Sequence, residues 1–532
     1  MLAFFKRHKL FAAFLLILLI GFVVLRVRMH GPYRAYRVQE TWVSAPTLST
    51  EGPLYVGAAM RDITPDLSAY DGWTDVDGNN KFEPDEGDTY EDRNGNGDFD
   101  LVWLAGFSAK RPAKGVNDPI WARSLALRHQ GKTLVLVSID CIGLTYERFV
   151  KIRKSIDHTK YGIDHIIFSS THTHNGPDVL GIWSYHRLPV KRDEAYIETV
   201  LAKTKDAILD SVEALEPADG FYTSTEIEPE GWVRDSRPPL VYDRVLGVMR
   251  FNKAGSAGET IATMMCWGNH PEAMGGSYPK VSSDFAHYWR EGVEKGLPGP
   301  NAVAGIGGLC LYFQGPVGGL MTPLRVDVPD RDGVTVHTED GEGKAQALGE
   351  NLALRTLSLL RNERETKPLS DHRLGLVAKN VFVPISGTYK YPMMLGMVHP
   401  GWYGGKAKTE VSALRVGNVE IVTITGEIYP EMVDGGIESP EGADFGIDPV
   451  EVPVLRTQMR GDVNLVMGLA NDEIGYILPK SQWDAKAPFT YDSEKAPYGE
   501  INSGGPEVGP VIHRASLEVL AELHERLALP TS

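Results

Sequence analysis

The chain has 532 residues, 42% hydrophobic and 23% charged, with 56 Gly and 34 Pro. That composition suits a loop-rich α/β enzyme and argues against a helical bundle or a disordered chain. A formal net charge of −16 with no basic stripe excludes nucleic acid as the natural partner.

Lys6, Arg7 and Lys9 precede an unbroken apolar run from Leu10 to Leu25, closed by Arg26 and Arg28. The run exceeds a signal-peptide core of about 7–15 residues and falls just short of the ~20 of a membrane span. It is read as an uncleaved signal anchor over 1–28 that leaves the bulk of the chain extracytoplasmic, although Arg34 and Arg37 on the far side oppose that orientation. The alternative, a cleaved signal peptide, gives a secreted protein; both readings export the chain. Residues 29–52 lack periodicity and read as a linker. The three cysteines, Cys141, Cys266 and Cys310, sit in or beside apolar runs and make no disulfide framework.

Asp71 to Asp100 holds eleven Asp/Glu against Lys81 and Arg93, a net of −9. Within this insertion Asp75, Asp77, Asn79, Glu83 and Glu86 fall at positions one, three, five, nine and twelve of a loop that resembles an EF-hand calcium loop. Asn80 stands where such loops have Gly. A second alternation follows, Asp92, Asn94, Asn96, Asp98 and Asp100, with Trp103 in place of a terminal Glu. No flanking helices are evident, so the stretch is similar to dockerin-type or thrombospondin-type repeats. Structural calcium is expected, with no part in catalysis.

Leu134 to Ile139 is a continuous apolar run, as in a strand buried on both faces. Tyr146 to Ile156 carries Phe149, Ile152 and Ile156 at helical spacing, and Ile166 to Phe168 reads as another buried strand. Strand, helix, strand predicts an α/β fold, a mixed sheet core with flanking helices in one large domain over 53–528. Ligands in such sheets bind beyond the carboxyl ends of strands.

Four polar groups stand where apolar runs stop. Thr171-His172-Thr173-His174-Asn175-Gly176-Pro177 follows the strand at 166–168, and in extended backbone His172 and His174 face one side. Gly268-Asn269-His270-Pro271 follows Met264 to Trp267. Gly426-Glu427 follows Val419 to Thr425, and Asn471 to Tyr476 follows Leu465 to Leu469. Two histidines and a carboxylate with one open position is the donor set of a catalytic zinc. An amphipathic helix from Ala515 to Leu527 ends the pattern.

Thr171 to Pro177 resembles the Thr-His-Thr-His-Ser-Gly-Pro signature of the neutral/alkaline non-lysosomal ceramidases. Ala59 to Pro65, Gly106-Phe107, Trp121 to Leu127, His270-Pro271, Ser283-Asp284-Phe285, Gly426-Glu427 and Asn471 to Tyr476 follow in that family's order. The resemblance spans about residues 54 to 515. It implies one zinc held by His172, His270, Glu427 and Tyr476, with His174 handling protons. It further implies that Arg237, or Arg234 nearby, clamps the substrate, and that Tyr498 is a second functional tyrosine. The implied reaction is hydrolysis of an N-acyl amide, with a lipid-like substrate.

The chain departs from the family at Gly315-Pro316-Val317-Gly318-Gly319, where the family has Gly-Asp-Val-Ser-Pro, so a serine nucleophile there is absent. It also ends without the family's C-terminal immunoglobulin-like domain, and the Tyr476 to Tyr498 connection is lengthened. Two alternatives stand beside ceramide hydrolysis: a zinc hydrolase of another acyl amide, and a non-catalytic calcium-dependent binding module.

Overall fold

The structure, a computed structural model, describes residues 9–28, 31–45, 52–97, 99–185, 192–299, 301–394 and 403–528. Lys6, Arg7 and Asp98, invoked above for the anchor and the second calcium loop, lie outside the described residues. Two β-sheets carry the fold. The larger has nine strands and a main path in the order Leu309–Gln314, Thr260–Trp267, Val245–Lys253, Glu216–Glu226, Leu54–Asp62, Trp121–His129, Lys132–Ile139, His165–Ser170. Its first and last pairs are parallel and the rest of that path antiparallel. The smaller has five strands, Gln39–Val43, Leu374–Pro384, Lys406–Val416, Val419–Thr423 and Val463–Met467.

Side-chain alternation explains how the sheets stack. Leu134 and Leu136 enter a core shared with Leu374, Leu376, Leu414, Ile421 and Leu465 of the smaller sheet. Val135, Val137 and Ile139 point the other way, against the helices Tyr146–Lys154 and Glu194–Glu213. Met265 and Trp267 likewise meet the helices Phe285–Lys295 and Glu342–Arg361, while Met264 and Cys266 face the inter-sheet core. The final helix, Val508–Ala528, covers the smaller sheet. Period-two alternation in fully apolar strands therefore builds an α/β/β/α sandwich. All three cysteines are free and buried within it.

The larger sheet curls until its edge strand Leu309–Gln314 approaches the strands near the opposite edge. Ser138 donates to the Tyr312 carbonyl at 2.5 Å, and Arg123 reaches the Cys310 carbonyl at 2.8 Å. The two strands that precede the histidine motifs thus come to one end of the molecule.

Residues 39–43, within the stretch read as linker, form an edge strand paired with Leu374–Pro384. The first helix runs Lys9–Arg28, with Phe14, Ile17 and Phe22 exposed. Its side chains at 10, 12 and 25–28 are outside the described set, and among the described residues no helix is long and apolar enough to cross a membrane. The expected anchor gains no support from that measure.

A buried ionic network joins the sheets. Arg153 pairs with Glu410 at 2.5 and 3.0 Å, and His165 Nε2 lies 2.9 Å from the same carboxylate. Burial alone would raise the Glu410 pKa, but Arg153 and His165 hold it down at about 2, below its ordinary 4.5. Its folded-state pKa is depressed, so its stabilising contribution is complete above pH 4.5 and disappears as the pH falls toward about 2. Glu410→Gln should strand the buried Arg153 charge and cost about 3–5 kcal/mol in urea unfolding at pH 7. That deficit should narrow as the pH drops through the window.

Candidate active site

The sequence between each strand and the site is short, and strained where it turns. His172 takes φ 68°, a left-handed backbone rare outside Gly. Its backbone N donates to the Cys141 carbonyl at 3.0 Å. The turn aims the imidazole across the strand end, where Nδ1 lies 2.5 Å from the Ile142 carbonyl. His270 Nδ1 lies 2.7 Å from the Met321 carbonyl. A carbonyl only accepts, so Nδ1 is the donor in both rings and Nε2 is left to face the site. Both Nε2 atoms face one oxygen: Glu427 Oε2 is 3.0 Å from His270 and 3.5 Å from His172.

Glu427 follows the strand Val419–Thr423 of the smaller sheet. Glu427–Ile428 pairs in parallel with Tyr476–Ile477, setting Tyr476 beside Glu427 with a hydrogen bond between their side chains. Burial would push Glu427 up, yet His172 and His270 keep it at about 2, so it is ionised. Tyr476 is raised well above its ordinary value by burial and then by Glu427. The sequence-derived set His172, His270, Glu427 and Tyr476 is thus brought together.

His174 completes the cluster: ligating nitrogens of His172, His174 and His270 all lie within 4.8 Å of one another. Neither ring nitrogen of His174 has a hydrogen-bond partner, although it is buried. Glu272 Oε2 lies 3.2 Å from Nδ1, close enough for an ion pair but without hydrogen-bond geometry. Burial, then the neighbouring His172, His270 and Arg111, lower the His174 pKa well below the ordinary value, so the ring is neutral. Phe107 packs edge-on against it at 5.1 Å. Gly106, at φ 100°, lets the backbone approach, since a Cβ there would sit 2.4 Å from the imidazole.

A cavity of about 600 Å³ opens over this cluster. Phe107, Leu180, Trp183, Ile385 and Met393 form apolar walls, and His172, His174, Glu427 and Tyr476 form its polar end. Tyr498 also lines it, half exposed, with its ring 5.8 Å from that of Tyr476.

Arg237 is elsewhere. Its guanidinium donates to Glu500 at 2.5 Å, Gln482 O at 2.8 Å and Pro238 O at 3.1 Å, stacks over Tyr429 and does not line the cavity. Those bonds make it a tie between loops. The Arg234 backbone exchanges hydrogen bonds with Thr322 beside the His270 loop.

Sequence reasoning missed Glu272 and Glu473. Glu473 lines the cavity with Oε1 accepting from Gly475 N at 2.8 Å and Oε2 unpartnered. It was overlooked because it sits inside a segment judged only by its Tyr.

In the acidic insertion, Gly72–Thr74 and Thr89–Glu91 form a short hairpin. Oxygens of Asp75, Asp77 and Asp88 converge within 4.8 Å, and Asn79 bonds both Asp77 and Glu83. Glu86 also bonds Asp77. Asp75 Oδ2 is 2.6 Å from Lys114 Nζ, so one of its oxygens already has a cation. Asp88 was not foreseen; its carboxylate accepts from Val76 N and Glu83 N. In the second loop Asn94 and Asn96 both donate to Asp100, and Asp92 accepts from Gly97 N.

Two solved structures share this architecture. The neutral ceramidase of Pseudomonas aeruginosa matches with a TM-score of 0.62 at 15% identity, over 91% of this chain and 76% of that one. The fold is that of a neutral ceramidase. A ceramidase complexed with C2 matches equally, TM-score 0.62 at 16% identity, over 91% of this chain and 77% of that one. No family model and no curated protein matches the sequence. The ceramidase-like resemblance read from short motifs is therefore carried into three dimensions over most of the chain.

Gly106→Ala tests the packing around His174. The new methyl has to displace the ring, and left-handed backbone disfavours it, so thermal unfolding should show a loss of about 1–3 kcal/mol. An unchanged midpoint would mean that the Gly106 turn yields freely.

Proposed function

We propose that the protein is a zinc-dependent hydrolase of N-acyl amide bonds, acting on ceramide or a related lipid-like acyl amide. The observation that carries this is the pair of histidines whose Nδ1–H groups are committed to the Ile142 and Met321 carbonyls. Both Nε2 atoms are thereby turned toward Glu427, and a ring whose other N–H is held by a carbonyl is the outer-sphere arrangement typical of metal-bound imidazole. The donor chemistry fits zinc: His172, His270 and Glu427 would hold it, with Tyr476 as fourth ligand. A zinc there would polarise a carbonyl and bring the pKa of a bound water to about 7.

The chain's own residues supply the rest. Neutral, unpartnered His174 is placed to take a proton from an attacking water and return it to the leaving amine. Tyr498 stands at the cavity wall, where its hydroxyl can donate to the oxyanion that develops on the acyl carbon. The apolar walls exclude water and fit an acyl chain. The solved neighbours are ceramidases by name, which supports an acyl-sphingoid substrate. Glu473, an acceptor in the cavity, and the Gly315–Gly319 loop without a serine support a different head group as the second reading.

For localisation we infer a membrane-anchored protein with its catalytic domain outside the cytoplasm. A 20-residue helix is about 30 Å long, and Lys9–Arg28 is almost uniformly apolar between its basic ends. Calcium in the insertion agrees with an extracytoplasmic setting. It would order the hairpin that packs Phe82 on Phe99 and Tyr185.

Elemental analysis of the chain from about residue 31 should find one zinc, lost in His172→Ala. His174→Ala should keep its zinc but lose about 10²–10⁴ in kcat on acyl-amide substrates. Zinc-loaded protein with no hydrolysis of any acyl amide would favour a binding module instead. Calcium should raise the thermal midpoint of the wild type by mass action and leave Asp77→Asn unmoved. An equal shift in both would remove the insertion as the calcium site.

A further inference from the structure

His172 follows the strand at one edge of the larger sheet and His270 the strand next to its opposite edge, so hydrogen bonding along the strand order does not fix the distance between them. A backbone bond from His174 N to the Pro271 carbonyl at 3.0 Å joins the two loops after the histidines, and one buried side chain joins them before. Gln314, the last residue of Leu309–Gln314, is fully buried between the two histidine loops. Its Nε2 donates to the Asn269 carbonyl at 2.9 Å and to the Thr171 carbonyl at 3.2 Å. Asn269 immediately precedes His270, and Thr171 immediately precedes His172.

The other end of the amide is equally committed. Gln314 Oε1 accepts from the Tyr312 hydroxyl at 2.6 Å and from the backbone N of Asn269 and Gly315, each at 3.2 Å. Both N–H donors and the oxygen's lone pairs are used. The orientation of the amide is also determined, since a flipped group would set an NH₂ against two backbone N–H groups. The glycines around it let the loops close: a Cβ on Gly268 would lie 2.2 Å from the Pro316 carbonyl, and one on Gly315 would lie 2.6 Å from Gly268 N. The Gly-Pro-Val-Gly-Gly loop is built around this contact, and it continues to Met321, whose carbonyl takes the His270 Nδ1 proton.

We propose that Gln314 is a positioning residue that sets the spacing of the His172 and His270 loops and thereby the affinity of the site for zinc. The inference rests on the zinc reading above but concerns residues that never touch metal or substrate. A donor bridging two carbonyls pulls the loops together. A carboxylate in the same place would put oxygen against oxygen and push them apart, and an apolar chain would leave both carbonyls unsatisfied.

The test uses Gln314→Glu and Gln314→Leu, with Tyr312→Phe as a milder variant that removes only the hydroxyl steadying Oε1. Zinc dissociation constants are measured by chelator competition, beside circular dichroism and thermal unfolding of each metal-free protein and the visible spectrum of each Co²⁺-substituted protein. The expected result is a zinc dissociation constant about 10–100-fold higher in both Gln314 variants. A smaller rise is expected in Tyr312→Phe, with an altered cobalt spectrum and occupancy restored by excess zinc. Folded variants with wild-type zinc affinity would overturn the proposal. So would a loss of zinc that tracks unfolding of the metal-free protein in all three. Wild-type protein that binds no zinc would overturn the hydrolase reading as well, so the two failures are distinguishable.

Discussion

The contact on which the rest of the structure depends is the 3.0 Å approach of His270 Nε2 to Glu427 Oε2, with His172 3.5 Å from the same oxygen. The histidines follow strands of the larger sheet and the glutamate follows a strand of the smaller. A buried carboxylate needs opposite charge or hydrogen bonds around it, and here Tyr476 supplies one from its own side and the two histidines supply the rest from across the sandwich. The inter-sheet core brings the layers together, but apolar packing is non-directional and does not fix where four strand ends point. Direction comes from polar groups: the Ile142 and Met321 carbonyls that orient the rings, the Glu427–Tyr476 pairing, and the Gln314 amide between the histidine loops.

A second set of polar contacts holds the smaller sheet in register with the first. Asn471, at φ 61°, accepts from Phe168 N at 3.0 Å and from Arg153 at 3.0 Å, and donates to Glu410 at 3.0 Å. One amide thus fastens the strand that leads to His172 to the loop that leads to Tyr476. Arg290 does similar work behind the site, binding Asp140 through two bonds of 2.8 and 2.9 Å next to the segment that presents Ile142. The acidic insertion touches the cavity at one remove. Phe82 N donates to the Lys110 carbonyl, Lys110 N to the Trp183 carbonyl, and Trp183 Nε1 to the Phe107 carbonyl, so the hairpin braces a wall that Trp183 and Phe107 line.

Much of this is legible in the sequence, for physical reasons. A strand buried on both faces must be apolar throughout, so Leu134–Ile139 and Met264–Trp267 announce themselves, and the polar residue where each run stops marks a strand end. The helix from Tyr146 follows from Phe149 and Ile152 on one face, although it ends at Lys154, short of Ile156. What sequence cannot express is a backbone acceptor: nothing at Ile142 or Met321 distinguishes the carbonyls that set the histidine tautomers. Gln314 looks like any polar residue after a strand until the sheet curls. The edge strand 39–43 was hidden because partial exposure removes the apolar signal. Arg237 takes its expected role from the resemblance alone, and its buried bond to Glu500 cannot be read from spacing. Asp88 falls just past a loop pattern counted from Asp75, so its convergence with Asp77 depends on the hairpin.

The central claim is the identity of the donors at one metal. X-ray absorption at the zinc edge on the purified protein tests it most directly. The proposed function predicts two imidazole nitrogens among the ligands, the rest being oxygens from Glu427, Tyr476 and water, unaltered by His174→Ala. A third imidazole that disappears in His174→Ala would contradict it. The metal would then belong to the triad His172, His174 and His270, and the proton-transfer role given to His174 would fall.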